Sequence, residues 1–119
     1  MPREKIATWP SALASRVTVR PSEALSGNRT ITAAELEAWQ AFVFDPSTTS
    51  RDVLLPPVAA CQGVNIVICN LGTTTGTLVV KDSGGTAIVT IPATAAGKRT
   101  GAHLFCDGSA WFGLYGSVA

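Results

Sequence analysis

The sequence predicts a mainly β domain: a small β-sandwich or barrel-like sheet of about six to seven short antiparallel strands, with one short helix and an extended N-terminal arm. After residue 26, short apolar runs alternate with turn residues at close spacing, which is typical of all-β domains. The chain has 119 residues, 46% of them hydrophobic, enough for one core and few for two. We therefore assign residues 1–26 to the basic arm and residues 27–119 to one β domain.

The helix is predicted from a capping signature. Thr32 is followed three residues later by Glu35, and in this pattern the two side chains satisfy free backbone N–H groups at a helix start. An Ala-, Glu- and Leu-rich stretch follows, so we expect the helix to run to about Trp39 or Gln40. A strand containing Phe42 and Phe44 comes next and ends at an Asp-Pro-Ser turn.

The remaining strands are predicted from apolar runs bounded by turn residues. Two pairs of runs form hairpins, one across Asp-Ser-Gly-Gly at residues 82–85 and one across Asp-Gly-Ser-Ala at residues 107–110, where glycine supplies the positive φ of tight turns. No internal repeat of 20 to 50 residues is convincing. The predicted strands lie at residues 51–55, 63–70, 77–81, 86–91, 102–106 and 111–115.

Charge is scarce. Only 14% of residues are charged, against roughly 25% in soluble proteins, and the net charge is +1. We expect neither nucleic acid nor a membrane as a partner, because the chain has no general basic excess and no run of about 18 apolar residues. Between Val53 and Ile91 only Lys81 and Asp82 are charged, so we expect part of this neutral surface to be an interface between copies of the chain.

The residues suited to catalysis are few. His103 and Cys106 lie three positions apart on a predicted strand, so their side chains point to opposite faces and cannot form a dyad. The glycine-rich stretches match no phosphate-binding loop. We expect a protein that is not an enzyme and needs no cofactor.

The three cysteines are Cys61, Cys69 and Cys106, and they show neither CxxC spacing nor a neighbouring histidine cluster. A zinc site is therefore not expected. Buried thiols that pack as small hydrophobes are the favoured interpretation, and a disulfide is the alternative.

The first 20 residues combine basic and apolar side chains. Arginine and lysine outnumber acidic residues there by four to one, and three prolines interrupt residues 1–26. Such a segment offers a partner both charge and an apolar anchor, although a terminus without a partner is the alternative. The residues expected to bind a partner are Arg3, Lys5, Ile6, Trp9, Arg16 and Arg20.

Two aromatic residues near the C-terminus share one face of a predicted strand. Trp111 and Tyr115 could form a sugar-stacking platform or an oligomer contact, because both side chains combine apolar area with a polar group. For Trp111 itself, packing in the core is the favoured interpretation.

Several segments of the sequence resemble small β modules of tailed-phage virion proteins. They are residues 27–32, 42–45, 52–56, 64–72 and 104–111. Modules of this kind occur in capsid decoration proteins and in fibre or spike tips. The resemblance lies in the succession of strand and turn segments over residues 27–115 rather than in a diagnostic motif.

The resemblance implies a structural protein of the virion, commonly a homotrimer, with no active site. A decoration or cement protein often uses an N-terminal arm to hold the shell, so the expected partner is the major capsid protein or another shell protein. The expected location is the capsid surface, after synthesis in the host cytoplasm. The alternative is a fibre- or spike-tip module that binds a carbohydrate or receptor, but no stalk is visible in this sequence.

Overall fold

The computed structural model describes residues 18–72, 75–93 and 100–117, and these residues form a mainly β domain of two sheets. One short α-helix and one turn of 3-10 helix, Val58–Ala60, connect the strands. In chain order the elements are β1 (Glu23–Ala24), β2 (Arg29–Thr30), α1 (Ala33–Ala38), β3 (Ala41–Asp45), β4 (Arg51–Leu54), β5 (Asn65–Asn70), β6 (Leu78–Lys81), β7 (Ala87–Ile91), β8 (Thr100–Cys106) and β9 (Trp111–Ser117).

From β1 to β6 the chain alternates between the two sheets. The five-stranded sheet has the order β1-β3-β5-β8-β9, and the four-stranded sheet has the order β2-β4-β6-β7. Because every second strand returns to the same sheet in the same direction, β1, β3 and β5 are parallel, as are β2, β4 and β6. Only the pairs β6/β7, β5/β8 and β8/β9 are antiparallel.

The expectation of a purely antiparallel or barrel-like sheet is therefore wrong, and the described strands number nine rather than six or seven. Alternating apolar residues determine which side chains point inward, but they carry no information on the direction of the neighbouring strand. Parallel neighbours need a crossover connection, and here the crossover is a strand of the other sheet. Ala41 of β3 pairs with Val67 of β5 in one sheet, and Arg51 of β4 pairs with Leu78 of β6 in the other. Each pair of consecutive strands thus lies next to the following pair, although the sequence has no repeated motif.

Both predicted hairpins are confirmed. In β6/β7 Leu78 lies opposite Ile91, and in β8/β9 Cys106 lies opposite Trp111. In the first turn the Asp82 carboxylate accepts from two backbone N–H groups, at 3.0 and 2.9 Å, and Gly85 has a φ of 89°. In the second turn the Asp107 carboxylate also accepts from two backbone N–H groups, at 2.8 and 2.9 Å, and Gly108 has a φ of 92°.

The predicted helix start is also confirmed. The Thr32 hydroxyl accepts from the Glu35 backbone N–H at 3.2 Å, and the Glu35 carboxylate accepts from the Thr32 N–H at 3.0 Å. The helix is short, with Trp39 as its C-cap. It crosses from β2 in one sheet to β3 in the other, so it lies along the edge that β1 and β2 form.

The inward side chains of the two sheets form one hydrophobic core. Burying each large aliphatic or aromatic side chain contributes about 1.5–3 kcal/mol relative to exposure. The packing of the two sheets on each other is therefore the main source of stability. The fully buried residues are Phe42, Phe44, Ile66, Ile68 and Leu104 from the five-stranded sheet, and Val53, Leu78, Val80 and Ile91 from the four-stranded sheet.

The described part of the segment assigned to the arm joins this fold. Val19 forms a parallel bridge with Ala41, and Glu23–Ala24 pairs with the end of β3. Leu25 is 7% exposed and packs in the core. The β domain therefore starts no later than residue 18, inside the range that the sequence assigned to the arm, and residues 1–17 lie outside the described residues.

One buried polar side chain, Asn70, connects the two sheets. Its amide nitrogen donates to the carbonyl oxygens of Gly76 at 3.2 Å and Ile91 at 3.0 Å, and its amide oxygen accepts from the Gly72 N–H at 2.7 Å. Asn70 ends β5 in the five-stranded sheet, whereas Ile91 ends β7 in the four-stranded sheet. The side chain thus joins the ends of both sheets to the loop after β5.

We predict that Asn70→Ala lowers the free energy of unfolding by about 3 kcal/mol, because it leaves a buried N–H and two carbonyl groups without their partner. Urea denaturation measures the change. Asn65→Ala is the control, since Asn65 is an exposed asparagine on the same strand, and it should change stability by less than about 1 kcal/mol. Equal effects of the two substitutions would contradict the structural role of Asn70.

Candidate functional site

The outward faces of the two sheets differ in chemistry. On the four-stranded sheet the Lys81 ammonium donates to the Asp52 carboxylate at 2.9 Å, and the exposed hydroxyl residues Thr30 and Thr90 lie on neighbouring strands. This face carries the mixture of charged, hydroxyl and aliphatic side chains that is usual for a sheet in contact with water.

The outward face of the five-stranded sheet has almost no charge. The residues that alternate with the buried core positions are alanine, valine, cysteine, glycine, phenylalanine and leucine, together with Asn65 and His103. Within the described strands β3, β5, β8 and β9, Asp45 at the end of β3 is the only carboxylate at these positions. We call this surface the apolar face. Its main residues are Val19, Val67, His103, Phe105, Phe112 and Leu114.

Aromatic rings form the centre of the apolar face. Phe105 on β8 stacks on Phe112 on β9, with 5.2 Å between ring centroids and 20° between ring planes. The His103 ring lies 5.7 Å from that of Phe105, and its Nε2 donates to the Asn65 amide oxygen. His103 is therefore a hydrogen-bonded surface histidine, and no dyad with Cys106 forms because the Cys106 side chain points inward and is buried.

The apolar face extends over the full width of the sheet. The pairing places Val19, Ala41, Val67, His103 and Leu114 in one row across the strands, a distance of roughly 20 Å at the usual strand spacing. Four side chains of the face are 36–64% exposed, and together they leave roughly 350 Å² of apolar area in water. Phe105, Phe112 and Leu114 are neighbours on β8 and β9, whereas Val19 lies at the other end of the row, beyond the buried Ala41. Apolar patches of a few hundred Å² occur on typical monomers and are often functional.

The structure separates the two aromatic residues proposed as a surface. Trp111 is 7% exposed and its indole N–H donates to the Pro56 carbonyl at 3.1 Å, so it packs in the core, as the favoured interpretation of the sequence had it. Tyr115 is 46% exposed. The sequence analysis did not predict that the neighbouring Phe112 and Leu114 form a surface, because β9 is apolar at both alternating sets of positions. That two-sided pattern is itself the signal in the sequence for an apolar outward face.

Of the six residues expected to bind a partner, the structure describes only Arg20. Its guanidinium contacts Glu23 at 2.8 Å and Glu35 at 3.7 Å, so its charge is balanced within the chain. Arg3, Lys5, Ile6, Trp9 and Arg16 lie outside the described residues.

Arg29 is the centre of the charge cluster to which Arg20 belongs. Its guanidinium contacts Glu23 at 3.1 Å and Glu35 at 2.5 Å, and it lies 5.6 Å from the Phe44 ring centroid. These contacts join β1, β2 and α1 at one edge of the domain. Hydrogen bonds from Arg29 lower the pKa of Glu35 to about 2, with a further contribution from the Thr32 N–H, although burial acts in the opposite direction. The same bonds raise the pKa of Arg29 above its usual range.

We predict that Glu35→Gln lowers the free energy of unfolding by about 1–2 kcal/mol at pH 7, because it removes the ion pairs while glutamine retains the capping box. The folded-state pKa of Glu35 is below the ordinary 4.5, so its contribution is full above pH 4.5 and is lost as the pH falls towards 2. The difference between wild type and variant should shrink over that range in urea denaturation. Glu37→Gln, at an exposed position of the same helix, should show neither effect.

All three cysteines are free. Burial raises the pKa of the Cys61 and Cys69 thiols, which favours the protonated, unreactive form. Cys61 and Cys106 belong to the hydrophobic core. Among residues 18–72, 75–93 and 100–117, no three His, Cys, Asp or Glu side chains come together as a metal site.

We predict that a chelator or a reductant changes the melting temperature by less than about 2 °C, because the folded domain depends on packing rather than on a metal or a disulfide. Calorimetry with EDTA, with dithiothreitol and with buffer alone measures this. A decrease of more than about 10 °C with either reagent would correspond to roughly 2 kcal/mol or more and would contradict this interpretation of the cysteines.

A groove of about 620 Å³ lies at the end of the domain where both hairpin turns meet the 3-10 helix. The hydroxyl residues Ser83, Thr86 and Ser109 lie along it, and the chain at Trp111 and Phe112 forms part of its wall. The Asp82 carboxylate also lines the groove, but one of its oxygens is already bonded to two backbone N–H groups of its own turn.

Comparisons with protein-family models, with curated proteins and with solved structures give no match to this chain. Within the described part of the chain, no helix is long and apolar enough to cross a membrane.

Proposed function

We propose that this protein is a structural component of a virion: a capsid decoration or cement protein that binds an assembled shell and stabilises it. The observation that carries the proposal is the apolar face. A sheet with apolar side chains on both faces is typical of the interior of an assembly, because leaving the second face in water is unfavourable. A protein with this surface is suited to binding other polypeptides rather than to transforming a substrate.

The proposed shell contact is the segment that precedes residue 18. Arg3, Lys5, Ile6, Trp9 and Arg16 combine charge and apolar area ahead of the point where the chain joins the sheet. In this proposal the segment binds the major capsid protein or another shell protein, and the β domain lies on the capsid surface. The resemblance to virion modules also implies a homo-oligomer, commonly a trimer.

We predict that deleting residues 2–16 leaves a folded domain that binds the shell at least tenfold more weakly. The deletion stops there because the Thr18 carbonyl accepts from the Gln40 N–H at 2.8 Å, and the Arg20 N–H donates to Ala41 at 2.9 Å. Co-sedimentation with shells assembled from the major capsid protein of the same particle measures binding, and circular dichroism checks folding.

The matched control for this deletion is Lys81→Ala, which removes a basic side chain from the four-stranded sheet and should leave shell binding unchanged. A truncated protein that binds shells as tightly as the full chain would overturn the assignment of residues 2–16 as the attachment segment.

The groove at the hairpin turns favours a second candidate function, a fibre- or spike-tip module that binds a carbohydrate or receptor. Hydroxyl side chains around a cleft suit a sugar, whose own hydroxyl groups can donate and accept hydrogen bonds there. Saturable binding to a glycan column, abolished when Ser109→Arg fills the groove, would favour this function over shell decoration.

A further inference from the structure

Of the described surfaces of the chain, the one most similar in chemistry to the apolar face is the apolar face of another copy. We infer that a second copy of this chain packs on it, apolar face against apolar face, in a twofold symmetric pair. This inference rests on the proposed function, since both treat the face as an assembly surface. It identifies the partner as a second copy, and it replaces the threefold symmetry that the resemblance to virion modules implies with a twofold symmetry.

Charge argues for a second copy as the occupant. A partner that placed a charged group on this face would bury it without a counter-ion, because Asp45 is the only carboxylate at the outward positions of the described strands β3, β5, β8 and β9. A second copy presents a surface with the same shortage of charge. Residues 1–17 suit the face less well, since Arg3, Lys5 and Arg16 would find few partners there.

The area of the face is consistent with a stable pair. A specific interface buries about 800 Å² on each partner, of which roughly 450–520 Å² is apolar. The exposed parts of Val19, Phe105, Phe112 and Leu114 already supply roughly 350 Å². Val43, Val67 and Cys69 are half-buried on the same face and can supply much of the remainder. Packing of two such sheets at a spacing of about 10 Å would remove this area from water.

The distribution of exposed apolar residues argues for twofold symmetry. A ring of subunits needs two different complementary patches, whereas a twofold pair needs one patch that matches itself. Among the described residues the large exposed hydrophobic side chains are Val19, Phe105, Phe112 and Leu114 on the apolar face, and Tyr115 on the opposite side of β9. A single tyrosine does not make a second apolar patch in the described part of the chain, so a contact of the apolar face with itself is favoured. A threefold contact at β9 alone would also leave the opposite end of the row, at Val19, in water.

The test is the mass of the full chain between about 1 and 100 µM, measured by sedimentation equilibrium. We expect twice the mass of one chain. Leu114→Lys should raise the dissociation constant at least 100-fold, because each copy would bring a charge into an apolar contact. Leu114 is 64% exposed, so a lysine is compatible with the fold, and unfolding midpoints verify this.

Two further variants define which surface makes the contact. Val19→Lys, at the other end of the row, should weaken the pair at least tenfold if the whole face is buried, and would have no effect on a contact made by the hairpin edge alone. Thr90→Lys adds the same charge to the outward face of the four-stranded sheet and should leave the mass unchanged.

A monomer at 100 µM, a trimer, or a dimer insensitive to Leu114→Lys would overturn the inference. Shell binding is measured in parallel, so that the two proposals can fail separately. A twofold pair that binds no shell would support the inference and contradict the decoration function. A monomer that loses shell binding on Leu114→Lys would show that the face contacts the shell, which contradicts the inference and leaves the decoration function intact.

Discussion

The contact between the inward faces of the two sheets is the constraint on which the rest of the structure depends. Each strand has a period of two, so the pairing that places Phe42 beside Ile68 also turns both of them towards Val53 and Val80. The chain satisfies this constraint by crossing from one sheet to the other at each step from β1 to β6. Parallel pairing within each sheet is a consequence of that path, and the antiparallel strands β7, β8 and β9 complete it.

Ion pairs and hydrogen bonds stabilise the domain where the hydrophobic core ends. At one edge, Arg29 joins β1, β2 and α1 through two carboxylates while its guanidinium lies near the Phe44 ring. At the end of β5, the amide of Asn70 bonds to Ile91 of the other sheet and to the loop after β5. These groups stand where the apolar layer ends, so they satisfy backbone and side-chain groups that would otherwise lack partners. The low pKa of Glu35 results from one of these contacts, the hydrogen-bonded ion pair with Arg29.

The difference between the two outward faces connects the fold to the proposed role. The Asp52–Lys81 ion pair marks the face that suits water, and the Phe105–Phe112 stack marks the face that suits another polypeptide. Because β8 and β9 have apolar residues on both sides, the five-stranded sheet resembles the inner layer of an assembly, and among the described residues no element packs on its outward face. Binding to another polypeptide is thus what the apolar face and the proposed decoration function have in common, and the groove at the hairpin turns is a separate feature.

The sequence by itself determined the local features: the capping box of Thr32 and Glu35 and both hairpin turns depend on residues within a few positions of one another. Parallel pairing and the exposure of Phe112 and Leu114 were decided only by the tertiary structure, whereas core packing of Trp111 was already the favoured interpretation of the sequence. A strand with apolar residues at both alternating positions does not reveal which set faces the core. In β9 the choice follows from the opposite sheet, because the inward position of Gly113 packs against Val89 and turns Phe112 and Leu114 outward.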